Sequence, residues 1–378
     1  MAHDVVVAGG GPAGLAAASE LASMGYSVLV LEDDLEIGYP VKCAGIVSSR
    51  GLEAFRRICG REVDGIPLRS GEVEVRGLGK VEVNLEGLGA FAVDRRKLEK
   101  CLFDAAASRG AQFRLSEKVV ELGAEGAVSR AGVYRARAVV DARGAGAYPR
   151  RDRLLHAIQY ACRRAGGRAA EGYVRVTVDK AVSREYFTWH VELGDSGVLI
   201  GGAGSSPKSV AEGVESALAR ERCAPYRVVR SPIVVGGFVG AGHDGVFRVG
   251  DAAGASKPLT GGGDVWGVES SSMAALAVSR YLSGELDLAG ARAMYRSSWR
   301  KAHGREESAQ RLLRAVYERM ANEDVWRLLG EMRASGVLDN PRADFDGLGS
   351  WAVASLGARA VGTIALARLR DLLRLGGL

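Results

Sequence analysis

The chain has 378 residues, of which 47% are hydrophobic, and its formal net charge is +6. This length predicts two or three lobes, and the scattered placement of the Lys and Arg residues argues against a nucleic-acid partner. The five cysteines have neither C-x-x-C spacing nor neighbouring histidines, so we expect no metal site and no disulfide framework, although the scarcity of Asn and Gln is typical of thermophiles, whose intracellular proteins do carry disulfides.

Residues 4–32 predict a strand, a glycine turn, a helix and a second strand. The run "DVVVA" is typical of a buried parallel strand, "GGGPAG" of the turn, "LAAASELASMG" of the helix and "SVLVLE" of the second strand. The first strand follows the first residues directly, without the basic and apolar segments of a secretory signal. We therefore expect a cytoplasmic protein.

Gly9, Gly11 and Gly14 form a G-x-G-x-x-G motif between that strand and that helix, and Glu32 closes the second strand 18 residues after Gly14. In this context the motif predicts a dinucleotide site, with Ala13 at the helix start as part of it. The glycines permit the turn and the close approach of a pyrophosphate, and the helix start offers free N–H groups. Glu32 would accept hydrogen bonds from ribose hydroxyls, which favours FAD or NAD over NADP. A glycine turn without a ligand is the alternative.

Further along, alternating apolar and polar runs predict a second lobe made of β-sheet. The run "EVEVRGLGKVEVN" (72–84) indicates an antiparallel hairpin, and "YVRVTVD", "YFTWHVEL" and "GVLIGGAG" add strands between 154 and 233. The segments between these parts have the patterns of the first lobe, so the two lobes are interleaved. Everything after Ser270 has a helical period and composition.

The segment "GVFRVGDAAGASKPLTGGGDVWG" (245–267) resembles the flavoprotein superfamily of aromatic hydroxylases and geranylgeranyl reductases. In these proteins the Asp of G-D-A binds the ribityl chain of FAD, and the glycine-rich helix start lies at the pyrimidine edge of the flavin. The resemblance implies FAD as the cofactor and the following contacts: Asp251, Gly261, Gly262, Gly263 and Asp264. An acid at position 264 departs from the apolar residue usual in the family, which leaves open an altered redox poise, another substrate or a solvated helix cap.

Two more segments resemble this superfamily. "VDRRKLEKCLFDAA" is similar to its Asp-Arg helix start, which implies that Arg95 reaches the cofactor and that the backbone of Val119 meets the adenine. "VVDARGAG" is similar to its Asp-Gly turn, but Arg143 replaces the second acid. This departure weakens a monooxygenase interpretation, because hydroxylases use that segment in handling their cofactors.

The stretch "GYPVKCAGIVS" (38–48) is specifically similar to the P-x-x-C segment of archaeal geranylgeranyl reductases, with Pro40 and Cys43 in register. The resemblance implies that Cys43 lies beside the flavin at the substrate cavity and that the backbone of Ala44 and Gly45 touches the cofactor. Adding hydride to an isolated double bond requires a proton on the other carbon, and Cys43 is a candidate for donating it or for shaping the cavity. An inert buried thiol is the alternative.

The same reductases carry a Tyr-x-Trp-x-Phe-Pro motif in the substrate lobe, and "FTWHVE" matches it only at Phe187 and Trp189. The resemblance implies that these two residues and Pro258 contact the substrate, although a Trp on an alternating strand is often part of the core. His190 alternates with Trp189 along the strand, so we expect it at the surface.

The resemblance covers most of the chain and implies an α/β fold with a Rossmann-like FAD-binding domain interleaved with an antiparallel-sheet domain. The expected boundaries are 1–65, 93–150 and 233–285 for the FAD-binding domain, 66–92 and 151–232 for the substrate-binding domain, and 286–378 for a C-terminal helical region.

The expected function is that of an FAD-dependent reductase that saturates carbon–carbon double bonds of an isoprenoid (geranylgeranyl) lipid. NAD(P)H or a ferredoxin-like carrier would supply electrons, since the sequence contains no second dinucleotide motif in a βαβ context. An FAD-dependent monooxygenase of an apolar or aromatic substrate and a non-catalytic flavin-binding protein are the alternatives.

The last stretch, 351–378, is apolar but interrupted by arginines, so we do not expect it to span a membrane. It is either a helix packed on the body or a basic amphipathic helix on anionic lipid. The second option, together with an apolar lipid substrate, would give peripheral contact with the inner face of the membrane.

Overall fold

The computed structural model describes residues 3–164, 170–194, 197–334, 336 and 345–352. Contacts divide the chain into two compact units. The first unit comprises Met1–Gly65, Val93–Leu154 and Val234–Arg305. The second unit comprises Ile66–Ala92, Leu155–Ile233 and Glu306–Leu378.

The strands are β1 (His3–Ala8), β2 (Val28–Leu31), β3 (Ile46–Ser48), β4 (Ile66–Pro67), β5 (Ser70–Val75), β6 (Gly79–Asn84), β7 (Ala90–Ala92), β8 (Gln112–Arg114), β9 (Val119–Gly123), β10 (Gly126–Ser129), β11 (Val133–Asp141), β12 (Leu154–Arg164), β13 (Glu171–Val178), β14 (Thr188–Leu193), β15 (Val198–Gly204), β16 (Cys223–Val234), β17 (Gly242–His243) and β18 (Val246–Arg248). The helices are α1 (Pro12–Ser23), α2 (Ser49–Cys59), α3 (Arg95–Ser108), α4 (Pro207–Arg220), α5 (Gly250–Ala253), α6 (Asp264–Leu282), α7 (Leu288–Tyr317) and α8 (Asn322–Ala334).

The first unit is built on a sheet whose main path runs β17-β18-β11-β1-β2-β8. Strands β8, β2, β1, β11 and β18 are parallel to one another along this path. Val5, Val6 and Val7 of β1 have no exposed surface, as expected for a strand covered on both faces. Helix α1 packs against α3 and α6. Parallel pairing brings the carboxyl ends of β1, β2, β11 and β18 to one edge of the sheet, where ligands bind in open α/β folds.

The second unit is built on a sheet in the order β16-β12-β15-β14-β13-β5-β6. The pairs β12–β15, β15–β14 and β14–β13 are antiparallel, β13 and β5 are parallel, and β5 and β6 form the predicted antiparallel hairpin. The predicted fold class, an α/β fold with interleaved parallel and antiparallel sheets and a helical C-terminal region, is confirmed.

Helix α4 covers one face of the sheet of the second unit and was not predicted. Its apolar residues Val210, Val214, Ala217 and Leu218 follow the helical period and pack on Ile158, Cys162, Val198 and Ile200. Ser206 caps its first turn by accepting from the N–H of Ser209. This helix explains why the surface position expected for His190 is wrong. The His190 side chain is only 5% exposed, and its Nε2 lies 3.0 Å from Glu192 Oε1 while its Nδ1 lies 3.8 Å from Glu221 Oε2, just beyond the end of α4.

Cys162 and Cys223 form a disulfide with a Cα–Cα distance of 5.6 Å, so the expectation of no disulfide framework is wrong for this pair. The two residues are 61 positions apart in sequence, but β16 lies beside β12 in the sheet. Spacing in the sequence could not show this pairing, because it depends on which strands become neighbours.

Among the described helices, none is long and apolar enough to cross a membrane. The predicted amphipathic or packed helix at the end of the chain falls almost wholly on residues 353–378, which lie outside the described residues.

Candidate functional site

The glycine turn after β1 has the form of a phosphate cradle. Gly9 has φ +107°, and a Cβ there would collide with the carbonyl of Ala142, while a Cβ on Gly14 would collide with the carbonyl oxygen of Gly9. A Cβ on Gly11 would meet no protein atom within 4 Å, so this glycine faces open space. Gly11 also precedes α1 without any side chain to cap it, which leaves the N–H groups of the first turn available to an anion.

Glu32 lies beside this turn at the end of β2. One carboxylate oxygen accepts from the N–H of Asp34 at 2.9 Å, and the other accepts from the N–H of Gly10. Ala13 lies against α5 and α6, because an added Cβ would lie 2.8 Å from Ala13 Cβ at Gly250 and 3.7 Å from it at Gly267. Val119, the first residue of β9, is 9% exposed and packs under β1 and β2.

Cys43, Arg95 and Asp264 come together although they are far apart in sequence. The thiol of Cys43 donates to Asp264 Oδ2 at 3.7 Å, and its sulfur accepts from the N–H of Gly45 at 3.3 Å. Arg95 Nη1 donates to both carboxylate oxygens of Asp264, at 2.8 and 3.0 Å, and its Nη2 donates to Glu99 Oε1 at 2.6 Å. Asp264 is therefore a paired, 14% exposed carboxylate at the start of α6 rather than a solvated cap.

Burial and charge shift the protonation of this cluster. Burial, and after it the charge of Asp264, raises the pKa of Cys43 to about 11. Burial would lower the pKa of Arg95, but the carboxylates of Asp264 and Glu99 raise it above its ordinary value. Arg95 is thus a permanent cation, and Cys43 is a protonated thiol at neutral pH.

The turn that leads into α6 requires its three glycines. Gly261 has φ +65°, a Cβ on Gly262 would lie 2.8 Å from Lys257 Cε, and a Cβ on Gly263 would lie 2.8 Å from Asp251 Oδ1. Gly263 is the N-cap of α6 and offers no side-chain cap. The backbone N–H groups here are therefore open toward the space in front of the helix, as they are at α1.

Asp251 follows β18 at the same edge of the sheet. Burial, and after it the charge of Asp264, raises the pKa of Asp251 to about 6. Within the part of the chain that the structure describes, no group donates a hydrogen bond to its carboxylate. A hydroxyl-bearing ligand fits such an acceptor.

Two residues of the site were not assigned a role from the sequence. Glu99 holds Arg95 from one turn further along α3, and the i, i+4 spacing of this pair was a readable signal. Arg143 pairs with Asp141, with Nε at 2.9 Å from Oδ1, so the replacement of the family's second acid neutralises the buried Asp141.

The predicted substrate contacts lie in different units. In the second unit, Trp189 Nε1 donates to Gln159 Oε1 at 2.9 Å. The ring of Tyr186 stacks on Phe187 at 4.1 Å and meets Trp189 edge-on at 6.3 Å. Pro258 is buried in the first unit, in the turn between α5 and α6.

Comparisons with known proteins bear on this site. Residues 2–142 match the FAD binding domain family. Digeranylgeranylglycerophospholipid reductase 1 of Methanopyrus kandleri is 33% identical over 298 residues, which cover 70% of this chain and 76% of the relative. An uncharacterized protein of Methanocaldococcus jannaschii is 24% identical and aligns with 98% of this chain and 99% of its own length.

Among solved structures, a geranylgeranyl bacteriochlorophyll reductase-like protein from Thermoplasma acidophilum has the same fold, with a TM-score of 0.78. It is 18% identical, and the superposition covers 98% of this chain and 99% of that protein. The matched domain and the two open helix starts agree on the ligand. The cofactor is FAD.

Proposed function

Because the chain belongs to the geranylgeranyl reductase family of FAD-dependent flavoproteins, we propose that it saturates carbon–carbon double bonds of an isoprenoid lipid of the geranylgeranyl type. The observation that carries this proposal is the position of Cys43. Its thiol lies 3.7 Å from Asp264, the first residue of the helix whose start is proposed to face the flavin. A protonated thiol at this place suits alkene reduction, which consumes one proton per double bond.

An isolated alkene has no carbonyl group to polarise it, so the two hydrogens must arrive as a hydride and a proton. Bound FAD supplies the hydride in its reduced form. Cys43 donates the proton to the other carbon and forms a new C–H bond as its own S–H bond breaks. Because the pKa of Cys43 is about 11, only about one Cys43 side chain in ten thousand is a thiolate at pH 7. Cys43 therefore almost always carries the proton that it would donate.

The charge of Asp264 also favours the return of the proton. After donation, the Cys43 thiolate would lie 3.7 Å from a carboxylate, and this repulsion promotes reprotonation from solvent. Arg95 holds Asp264 in place with two hydrogen bonds, and Glu99 holds Arg95. We therefore assign Arg95 and Glu99 a positioning role for the Cys43–Asp264 pair.

The residues proposed to hold FAD are those that the glycine motif and the resemblance to the flavoprotein superfamily imply. Glu32 would bind the ribose of the adenosine, Asp251 would accept from the ribityl chain, and Arg95 would contact the cofactor. The backbone contacts proposed are those of Gly9, Gly11, Ala13, Gly14, Ala44, Gly45, Val119, Gly261, Gly262, Gly263 and Asp264.

For the substrate we propose apolar contacts from Phe187, Trp189 and Pro258. Their rings are apolar, and Phe187 and Trp189 are both partly exposed. An isoprenoid chain offers no hydrogen bonds, so such surfaces are the appropriate binding partners. We further propose that NAD(P)H or a ferredoxin-like carrier donates the electrons. The protein would also make peripheral contact with the membrane that holds the lipid.

The test is anaerobic turnover on a defined lipid. The protein is reduced chemically under argon and mixed with an unsaturated digeranylgeranyl glycerolipid. The lipid is then extracted, and its mass is measured by mass spectrometry. We expect a gain of two hydrogens per reduced double bond, and two deuteriums per bond in D₂O, because the hydrogen of chemically reduced flavin and the S–H of Cys43 both exchange with solvent. Cys43→Ser should lose most of this activity, whereas Cys59→Ser, which removes a thiol outside the site, should retain it. Unchanged lipid, or a hydroxylated product formed only after oxygen is admitted, would contradict the proposal.

A further inference from the structure

The indole of Trp189 lies across the sheet of the second unit. Trp189 of β14 pairs with Gly201 of β15, and Gly201 pairs with Gln159 of β12, so the three residues form one row on the same face of the sheet. Trp189 Nε1 donates to Gln159 Oε1 at 2.9 Å, two strands away from its own backbone. The ring therefore passes over Gly201, which lies between the two.

Gly201 permits this orientation because it has no side chain. A Cβ on Gly201 would collide with Cζ2 and Cε2 of the Trp189 indole and would lie 2.8 Å from the carbonyl oxygen of Ile158. The backbone of Ile158 is held by the pairing of β12 with β15, so the indole is the part that would have to move. Side chains on strands usually stand roughly perpendicular to the sheet. With any larger residue at position 201, Trp189 would take that upright orientation.

Tyr186 restrains the indole from another side. Its ring meets Trp189 edge-on at 6.3 Å, with an interplanar angle of 84°, and stacks on Phe187 at 4.1 Å. Tyr186 is itself only 3% exposed, and its carbonyl oxygen accepts from the Tyr317 hydroxyl at 2.8 Å. The position of the indole is thus set by a hydrogen bond at Nε1, by Gly201 beneath it and by Tyr186 beside it.

The surroundings of the indole on this face are apolar. Val191, Leu199 and Ala203 alternate with the row along β14 and β15, and each is at most 9% exposed. The indole N–H of Trp189 and the side-chain oxygen of Gln159 are paired with each other. Neither group therefore needs a hydrogen bond from a ligand that covers the indole.

We propose that Gly201 and Gln159 are positioning residues for Trp189, and that they hold its indole flat as an apolar platform for the isoprenoid chain. Both lie outside the segment 187–192 that resembles the reductase motif. The inference rests on the lipid substrate of the proposed function. A flat indole offers its whole face to a chain that forms no hydrogen bonds, whereas an upright indole would offer an edge and fill the space above the sheet.

The test uses the full chain with FAD bound and a lipid that cannot react. The probe is the fully saturated counterpart of a digeranylgeranyl glycerolipid. The emission of Trp189 is obtained in each variant by subtracting the emission of its Trp189→Phe counterpart. Gly201→Ala should shift this emission to longer wavelength, because the indole turns toward solvent, and should weaken lipid binding about tenfold.

Gly202→Ala is the matched control, because Gly202 is the next residue of β15 but faces α4. A Cβ on Gly202 would lie 2.9 Å from Val214 Cγ2 and 3.0 Å from Thr188 Cγ2. This variant should lower stability but leave the Trp189 emission and lipid binding unchanged. Gln159→Leu removes the acceptor at similar volume and should weaken binding several-fold, which provides the second check should Gly201→Ala fold poorly. Gln159→Glu keeps an acceptor oxygen and should retain binding.

Unchanged Trp189 emission and lipid binding in Gly201→Ala and Gln159→Leu would overturn the proposal. Equal losses of binding in Gly201→Ala and Gly202→Ala would also contradict it, as would a wild-type protein that does not bind the saturated lipid. A wild-type protein that binds this lipid, loses it in Gly201→Ala and yet leaves the unsaturated lipid unreduced would refute the reductase proposal and support the platform.

Discussion

Replacing Asp264 with Asn should make Cys43 more acidic. Asp264 Oδ2 lies 3.7 Å from the Cys43 sulfur, and its charge is the second cause, after burial, of a pKa of about 11. The substitution also leaves Arg95 with one carboxylate partner instead of two, which acts in the same direction. We expect the pKa of Cys43 to fall below about 11.

This change in pKa should alter the rate at which Cys43 reacts with a disulfide. At a pH below the pKa of Cys43, each unit by which that pKa falls increases the thiolate fraction about tenfold. Thiolates of lower pKa are less nucleophilic, with a Brønsted slope of about 0.4–0.5, so the net acceleration for each unit is about threefold. The assay is the reaction of Cys43 with a small aromatic disulfide in the FAD-free protein, followed by peptide mapping as a function of pH.

Glu99→Gln is the matched control for this prediction. It removes another carboxylate that pairs with Arg95 but leaves Asp264 beside the thiol. We expect a smaller change than in Asp264→Asn. A Cys43 pKa that stays near 11 or rises in Asp264→Asn would refute the assignment of Asp264 as the group that keeps the thiol protonated.

Three further predictions concern the glycine turn, the Cys162–Cys223 disulfide and Asp251. Gly14→Ala should destabilise the fold, because its Cβ would collide with the Gly9 carbonyl oxygen. Gly11→Ala should leave the urea midpoint of unfolding nearly unchanged but weaken FAD binding, as measured by flavin fluorescence. Equal urea midpoints for the two variants would contradict the proposed phosphate cradle. Breaking the Cys162–Cys223 bond, which closes a loop of 61 residues, should lower the free energy of unfolding by about 4 kcal/mol, and identical denaturation curves with and without reductant would contradict this. Because the pKa of Asp251 is raised to about 6 in the folded state, the FAD-free protein should lose stability as pH rises from about 4 to 6. Asp251→Asn should abolish this loss, which thermal unfolding across that pH range would measure. The same loss of stability in the Asp251→Asn variant would contradict the prediction.

Local patterns predicted the parts of the site that are local in sequence. The glycine turn and the β5–β6 hairpin were readable because their chemistry lies within a few residues of one another. The Arg95–Glu99 pair was readable in principle from its helical spacing. Helix α4 could also have been predicted, because Ser206 precedes Pro207 and apolar residues follow at helical spacing. It was missed because the segments on both sides of it have the alternating pattern of strands.

Long-range features could not be predicted from patterns. Asp264 and Arg95 are 169 positions apart, and only the resemblance to a family, not the spacing, brought both to the flavin. The resemblance did not predict that the two side chains pair with each other, because an apolar residue is usual at position 264 in that family. The burial of His190 depends likewise on α4 covering that face of the sheet, which strand alternation alone does not reveal.

The interleaving of the chain has a consequence for biosynthesis. Strand β1 pairs with β11, which pairs with β18, so neighbouring strands of one sheet are separated by more than a hundred residues of chain. The sheet therefore cannot be completed until β18 and α6 have been synthesised. Until then the edge of β11 that pairs with β18 stays without its partner strand. Such high contact order slows folding and exposes the nascent chain to aggregation. We expect efficient expression to depend on chaperones that shield the β11 edge during synthesis.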